Sequence, residues 1–278
     1  MAHDLASLPT IRDILHKYDI GADKKLGQNF LFDLNITDRI ARSAGNLQDM
    51  QVLEIGPGPG ALTRSLLKAG AIVTAIEMDK KCANALNYYL APAANGRLNV
   101  ITGDALDISN YTNLPPKIMV IANLPYNIST ALLTMWLDRL ELFSGFTLMF
   151  QKEVADRIMS DPNSKEYGRL SVKVQWSCAT RHEFDIPPEA FFPPPKVTSS
   201  VITITPLVKK RGEANPQTLE RLCKAAFGQR RKTLRVSLKQ ISDNPTSILA
   251  KAGIDDNRRP EQLSIEEFCA LAREIDAV

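Results

Sequence analysis

Cysteine is scarce in this chain of 278 residues: Cys82, Cys178, Cys223 and Cys269 stand far apart, with no CxxC among them. That spacing offers no zinc knuckle and no redox pair, and reads as buried free thiols in a reducing cytoplasm. Histidine is scarcer still. His3, His16 and His182 are isolated, which leaves no metal cluster and no catalytic triad, so we expect no metal. G-x-S-x-G and H-E-x-x-H are absent, no Walker lysine follows a glycine loop, and Asp185 and Glu189 lack a partner that would make a glycosidase pair. Long apolar runs are missing. IMVIA (118–122), near the middle, is far too short to span a bilayer. The N-terminus, MAHDLASLPTIRDILHKYD, has no apolar h-region, so we expect no secretory signal and no membrane partner. Aromatic residues make up only 6%, and neither an internal repeat nor a low-complexity tract is present.

Hydrophobic residues at 44% and charged residues at 23% suffice for a packed core and exclude wholesale disorder. The length fits one large domain or two ordinary ones. Net charge is +3, unevenly placed: residues 208–278 hold 14 Lys/Arg against 10 Asp/Glu, while residues 1–207 hold 20 against 21. A mildly basic C-terminal piece on a neutral body fits a polyanionic partner, and equally a solvated charged surface.

From about residue 50 to 206, short β-branched apolar runs alternate with helical stretches. Strands are expected at QVLEIG (51–56), AIVTAIE (71–77), LNVITGD (98–104), KIMVIANL (117–124), FTLMFQ (146–151), LSVKVQW (170–176) and SSVITITP (199–206). The first five are nearly continuous in apolar content, as strands buried on both faces are. Helical stretches such as GALTRSLLKAG and DKKCANALNYYLA separate them. The alternation predicts an α/β fold with a doubly wound, mostly parallel sheet. The stretch 207–217 is polar, carries Gly212 and Pro216, and reads as a linker. Beyond it, Leu219, Leu222 and Ala226, then Ile248, Leu249 and Ala252, recur at helical spacing, so a small helical domain is expected over 209–278 after a first domain over 1–208. The first 45 residues form a helical extension, with Ile11, Ile14, Leu15 and Tyr18 on one stripe.

VLEIGPGPG (52–60) runs a buried strand into Gly56, Gly58 and Gly60, with a helix following. Such a turn lets a ligand approach the backbone closely beside a helix N-terminus. The next strand ends in Glu77, placed to accept from two ribose hydroxyls. The spacing is G-x-G-x-G rather than the G-x-G-x-x-G of dinucleotide enzymes. Glu54 suits a ligand with an ammonium and a sulfonium and repels a pyrophosphate, so S-adenosylmethionine fits best; a dinucleotide or a purely structural turn stays open. The third strand ends in Gly103-Asp104-Ala105. Asp104 can accept from an adenine amino group or serve as a helix N-cap.

The fourth strand ends in Asn123-Leu124-Pro125-Tyr126, the most specific chemical signature in the chain. An exocyclic adenine nitrogen is a poor nucleophile because its lone pair is delocalised into the ring. Acceptors for both of its N–H groups can draw it towards tetrahedral geometry. The Asn123 side-chain oxygen and the Leu124 carbonyl can do this, Pro125 fixes the backbone and Tyr126 offers a stacking face. Asparagine accepts without placing an unpaired carboxylate in a dry pocket. Phe191 and Phe192, on the proline-stiff loop PPEAFFPPPK (187–196), could clamp a flipped base or plug the core. KAAFGQRRKTLRVSLK (224–239) carries six positive residues and no acid. It suits phosphates through Arg230, Arg231, Lys232 and Arg235, or forms an ordinary basic helix face.

KLGQNFL (25–31), LEIGPGPGALT (53–63), Glu77, GDA (103–105), NLPYNIS (123–129), FFPPPKV (191–197) and FGQRRKTLR (227–235) together resemble the KsgA-type ribosomal RNA adenine N6,N6-dimethyltransferases over roughly residues 20 to 270. The resemblance implies a Rossmann-like class I S-adenosylmethionine-dependent methyltransferase fold: seven strands, the last antiparallel, plus a small helical C-terminal domain. It implies dimethylation of two adjacent adenosines near the 3′ end of small-subunit rRNA, within the 30S particle, by a cytoplasmic monomer. By the same resemblance, Gln28, Asn29 and Leu31 close over the cofactor and Gly56, Gly58 and Gly60 hold its methionine moiety. Glu77 takes the ribose and Asp104 the adenine, Met78 and Ala105 are cofactor-binding, and Asn123 serves both cofactor and catalysis. The competing readings are the macrolide-resistance methyltransferase of large-subunit rRNA, usually NIPY where this chain has Leu124, and a non-catalytic assembly factor on the same fold. Intact glycines and Asn123 speak against the latter.

Overall fold

Apolar runs buried on both faces become the centre of a sheet, and polar or half-polar runs become its edges. The structure, a computed structural model, describes residues 5–23 and 27–277. In chain order, α1 (Ile11–Lys17), β1 (Phe30–Leu31) and α2 (Leu34–Ser43) come first. β2 (Gln51–Ile55), α3 (Ala61–Lys68), β3 (Ile72–Glu77), α4 (Lys80–Ala85), β4 (Leu98–Thr102), β5 (Ile118–Asn123), α5 (Ser129–Leu137) and β6 (Phe143–Gln151) follow. Next are α6 (Lys152–Met159), α7 (Arg169–Ser177), β7 (Cys178–Ile186), β8 (Phe191–Phe192) and β9 (Ser199–Pro206). The chain closes with α8 (Pro216–Gly228), α9 (Leu234–Ser237), α10 (Pro245–Lys251) and α11 (Ile265–Asp276).

The seven-stranded sheet has the order β4-β3-β2-β5-β6-β9-β7. β2 pairs in parallel with both β3 and β5, and β6 in parallel with β5, while β9 runs antiparallel to β6 with Phe146 opposite Ile204. This is the expected doubly wound α/β sheet with an antiparallel last strand. β1 and β8 form a separate two-stranded ribbon, Phe30 opposite Phe192 and Leu31 opposite Phe191.

One strand expectation is wrong. LSVKVQW (170–176) lies in α7, and the remaining strand is β7, Cys178–Ile186. Val172 and Trp176 are one helical turn apart, and both pack into the core of the helical unit with Leu222 and Phe268. Ser171 Oγ accepts the Gly168 amide at the helix start. Gln175 Nε2 donates to the carbonyls of Ile158 (3.0 Å) and Ser160 (2.9 Å) near the end of α6. Tertiary packing and caps override the β-branched propensity of the segment.

The chain divides into two compact units: described residues up to Lys152 with Arg181–Thr205, and Glu153–Thr180 with Pro206 onward. The expected division at 208/209 therefore shifts, because α6 and α7 join the C-terminal helices. Those helices share a buried core of Tyr167, Leu222, Leu234, Leu249, Phe268 and Leu271, and Trp176 Nε1 donates to the Gly212 carbonyl at 2.7 Å. In the first unit, Ile14 of α1 and Ile40 of α2 are buried in the core with β2 and β3, which anchors the N-terminal extension to the sheet.

Candidate active site

β2 and β5 are neighbours, but the chain leaves β2 towards β3 and β4 on one side and β5 towards β6 on the other. At such a switch point the strands' C-terminal ends open a crevice. Its walls come from Gln28 to Leu31, the turn after β2, Glu77 and Met78, Gly103 to Leu106, and Asn123 to Ile128.

The glycine turn cannot carry side chains. At Gly58 (φ +55°) a Cβ would stand 3.0 Å from Phe30 Cε1. At Gly60 (φ +90°), the N-cap of α3, it would stand 2.6 Å from Tyr89 Oη and 2.7 Å from Leu86 Cδ2. The Gly58 amide donates to Glu77 Oε2 and the Asp79 amide to Glu77 Oε1, both at 2.8 Å. Glu77 thus braces the turn from the end of β3, and burial pushes its carboxyl above the ordinary range. Glu54, inside β2, is 1% exposed and lines the pocket, and its Oε2 has no hydrogen-bond partner among the described residues. A buried acceptor left open beside a glycine turn is the complement of an ammonium-bearing ligand. Asp104 closes a turn, Oδ1 accepting the Leu106 amide at 2.8 Å, and lines the pocket; the short helix that follows is capped by Asp107 instead. Met78 stands at the rim, 56% exposed, and Ala105 is buried. This set fits the methionine, ribose and adenine parts of S-adenosylmethionine.

Asn123 ends β5 on the pocket wall. Its Nδ2 donates to the Asn29 backbone carbonyl at 3.3 Å, which fixes the amide's orientation and leaves Oδ1 as its acceptor. The N-terminal loop is thereby tied to the end of β5. Gln28 holds the same loop, Nε2 donating to Asp79 Oδ2 (3.2 Å) and Oε1 accepting the Asp23 amide (2.8 Å). Leu31 is buried on the wall. Lys25 and Leu26 of the KLGQNFL motif lie outside the described residues. Leu124 is buried at 1%. The Tyr126 hydroxyl is hydrogen-bonded to Ser199 Oγ at 2.5 Å, so the ring is anchored by the start of β9. Sequence reasoning missed Ser199, which carries no motif, and Phe30, whose place in QNFLF was its only signal.

The two readings of Phe191 and Phe192, clamp or plug, divide between them, because neighbouring strand residues point to opposite faces. Phe191 is 4% exposed and packs in the core, Phe192 is 55% exposed, and neither lines the pocket. The basic cluster is not a helix face: Arg230, Arg231 and Lys232 occupy the turn between α8 and α9. Arg230 Nη2 donates to the Lys165 carbonyl at 2.7 Å, and Arg235 lies 3.9 Å from Asp256, so both have partners within their own unit. Arg231 and Lys232 are exposed.

The four cysteines are buried and unpaired. Among the described residues, no group of three or more His, Cys, Asp or Glu could hold a metal ion, and no helix is long and apolar enough to cross a membrane.

A Rossmann-like sheet, a glycine turn braced by an acid, and an Asn-Leu-Pro-Tyr wall define an S-adenosylmethionine-dependent methyltransferase whose target is a planar amine. The chain matches the family described as ribosomal RNA adenine dimethylase over residues 21–277, and it belongs to that family. It is 50% identical, over 97% of its length and 98% of the relative's, to the ribosomal RNA small subunit methyltransferase A of Ruegeria sp. (strain TM1040). With the protein of the same name from Rhodospirillum rubrum it shares 51% identity over 97% and 93%. Its fold is that of a dimethyladenosine transferase from Plasmodium falciparum (TM-score 0.70, 24% identity, 89% of this chain and 98% of that one). The 23S rRNA methyltransferase ErmE gives a TM-score of 0.67 at 25% identity, over 89% of this chain and all of ErmE.

Proposed function

We propose that this enzyme places two methyl groups on N6 of each of two adjacent adenosines near the 3′ end of small-subunit rRNA. It works as a cytoplasmic monomer on the 30S particle during its assembly. Asn123 carries the reading: a neutral amide locked at the end of β5, with its oxygen left to accept from an amine. Relatives about half identical over nearly the whole chain, named for the small subunit, favour that RNA over the large-subunit alternative. The pocket walls all come from one unit of one chain, as a monomer requires.

S-adenosylmethionine supplies an electrophilic methyl group on a sulfonium. Asn123 Oδ1 and the Leu124 carbonyl accept the two N6 hydrogens and free the nitrogen lone pair. Tyr126, pinned by Ser199, gives the adenine a flat support of fixed orientation. Pro125 holds the carbonyl and ring in register. No general base is required, since the methylated nitrogen is briefly cationic and loses its proton readily.

After the first transfer one N–H remains, and either acceptor can hold it. Stacking on Tyr126 does not depend on methylation, and the spent cofactor must exchange between steps. Particles treated in vitro are expected to show monomethyladenosine early and dimethyladenosine late by nucleoside mass spectrometry. A halt at monomethyladenosine with excess cofactor would contradict dimethylation. In cells, rRNA from a strain lacking this protein should lose the dimethyl mark at two neighbouring adenosines and nowhere else.

The exposed turn of the helical unit supplies phosphate contacts through Arg231 and Lys232. Replacing both by Ala should reduce the slope of log affinity against log salt by about one to two. Arg230→Ala removes a donor from the Lys165 carbonyl and should lower the melting temperature instead. An unchanged slope in the double variant would return the turn to a solvated surface.

A further inference from the structure

The β1–β8 ribbon has two faces. Leu31 and Phe191 point into the core. Phe30 and Phe192 stand opposite each other on the other face, where Phe30 also joins the core, and Phe32 follows directly after β1; burial grades outward across the three. Phe30 is 6% exposed and lines the cofactor pocket, Phe32 is half-buried against the core, and Phe192 is 55% exposed. The Phe32 and Phe192 rings are stacked, centroids 5.6 Å apart and planes 26° from parallel. The Arg12 guanidinium from α1 stands 5.5 Å from the Phe32 centroid. The acids beside these residues are engaged in helix caps: Asp13 accepts the Thr10 amide and Asp33 the Asn35 amide. Lys196, exposed on the loop after β8, adds a second positive charge.

Leaving a phenylalanine half in water forgoes part of the free energy of burying it. Stacked aromatic rings flanked by a guanidinium match the way single-stranded RNA is held, with bases on ring faces and cations near phosphates. We propose that the Phe32–Phe192 step, with Arg12, binds the rRNA nucleotide next to the target adenosine, outside the catalytic pocket. The assignment rests on the rRNA reading above. The ribbon itself argues for this occupant: Phe30 touches the cofactor site, and Phe32 lies two residues further along the chain, just past the end of β1 and no more than about 7 Å away. A strand whose adenosine has turned into the pocket passes that distance with its neighbouring base. Phe192 thus contributes to RNA affinity without touching the reacting base.

Phe192→Ala is expected to raise KM for the 30S particle and to weaken binding of protein-free small-subunit rRNA, each by about tenfold or more. Phe192→Trp should restore both, and its fluorescence should be quenched by the RNA. The kcat at saturating particle and the affinity for S-adenosylhomocysteine should stay close to the parent's, which separates lost stacking from a disturbed fold. A fall in kcat with KM unchanged would place Phe192 on the target base and overturn the proposal. A loss confined to the particle would point to a ribosomal protein contact and overturn it equally, as would no effect on either. A parent unable to methylate rRNA at all would show instead that the functional reading had failed.

Discussion

Asn123→Ala is expected to lower the single-turnover methylation rate by about 10²–10³-fold at saturating cofactor, ~2.7–4 kcal/mol of transition-state stabilisation. The N6 lone pair is held in the adenine ring until the nitrogen pyramidalises, so an acceptor aligned with its hydrogens acts more strongly on the transition state than on the bound substrate. Asn123 is preorganised for that task. Its Nδ2 donates to the Asn29 carbonyl, which stops the amide from flipping and holds Oδ1 as the acceptor. An alanine leaves the Leu124 carbonyl as sole acceptor and admits water to the vacated space. The fold should hold, because Asn123 is the last residue of β5 and only partly buried. Cofactor affinity, measured separately with S-adenosylhomocysteine, should fall less than the rate, since the glycine turn, Glu77 and Asp104 are untouched. Parent-like single-turnover kinetics would remove Asn123 from the mechanism.

The centre of the sheet was legible because β2, β3, β5 and β6 are buried on both faces and leave nearly unbroken apolar runs. The edge was not. β7 carries Arg181, His182, Glu183 and Asp185, and only Cys178, Phe184 and Ile186 are buried along it. An outermost strand is kept polar for good reason, since a flat apolar edge invites pairing with other chains. β-branched apolar residues are therefore sparse there and denser over 170–176, where Val172 and Val174 imitate a strand. The fact that decides the matter is the core shared by Val172 and Trp176 with Leu222 and Phe268, a contact across some fifty residues that no local window contains. The shifted boundary between the two units has the same origin.

The site was read in proportion to how contiguous it is. Glycine turn, strand-end acids and NLPY are each local, and a crevice at a switch point brings them together by topology alone. Ser199 reaches Tyr126 across 73 residues, and a lone serine at a strand start carries no signal. The basic cluster was legible as charge but not as contact. Arg230 and Arg231 are adjacent and chemically identical, yet the Lys165 carbonyl engages the first while the second is exposed. Phe191 and Phe192 differ in the same way, and only the pairing of the short β8 with β1 decides which ring faces the core.

Glu54→Gln is expected to weaken cofactor binding by roughly 10- to 100-fold, the ~1.5–3 kcal/mol of a hydrogen bond to a charged group, and to abolish its proton linkage. Burial pushes the Glu54 carboxyl from an ordinary 4.5 up to about 8, and the nearby Glu77 carboxylate adds to the shift. The cofactor-free protein is therefore expected to carry a proton on Glu54 at neutral pH. The donor brings an α-ammonium group, and a cation beside a carboxyl favours its ionised form, so binding expels that proton. Below about pH 8 affinity should rise with pH. Above it the free α-amino group, ordinarily at about 7.7–8.0, has lost its own proton, and binding must take one up, so affinity should fall again. The optimum lies near pH 8. Stability of the cofactor-free protein runs the other way. The native state keeps a proton that the unfolded chain has released, so this group's contribution declines as pH climbs from 4.5 to about 8. Glutamine has no charge to desolvate, so the cofactor-free variant should melt higher than the parent at pH 8 even as it binds more weakly. Titration calorimetry with S-adenosylhomocysteine, in two buffers of different ionisation enthalpy, counts the proton directly. Equal proton release by parent and variant would remove Glu54 from the ammonium site and leave it a buried acid of the strand.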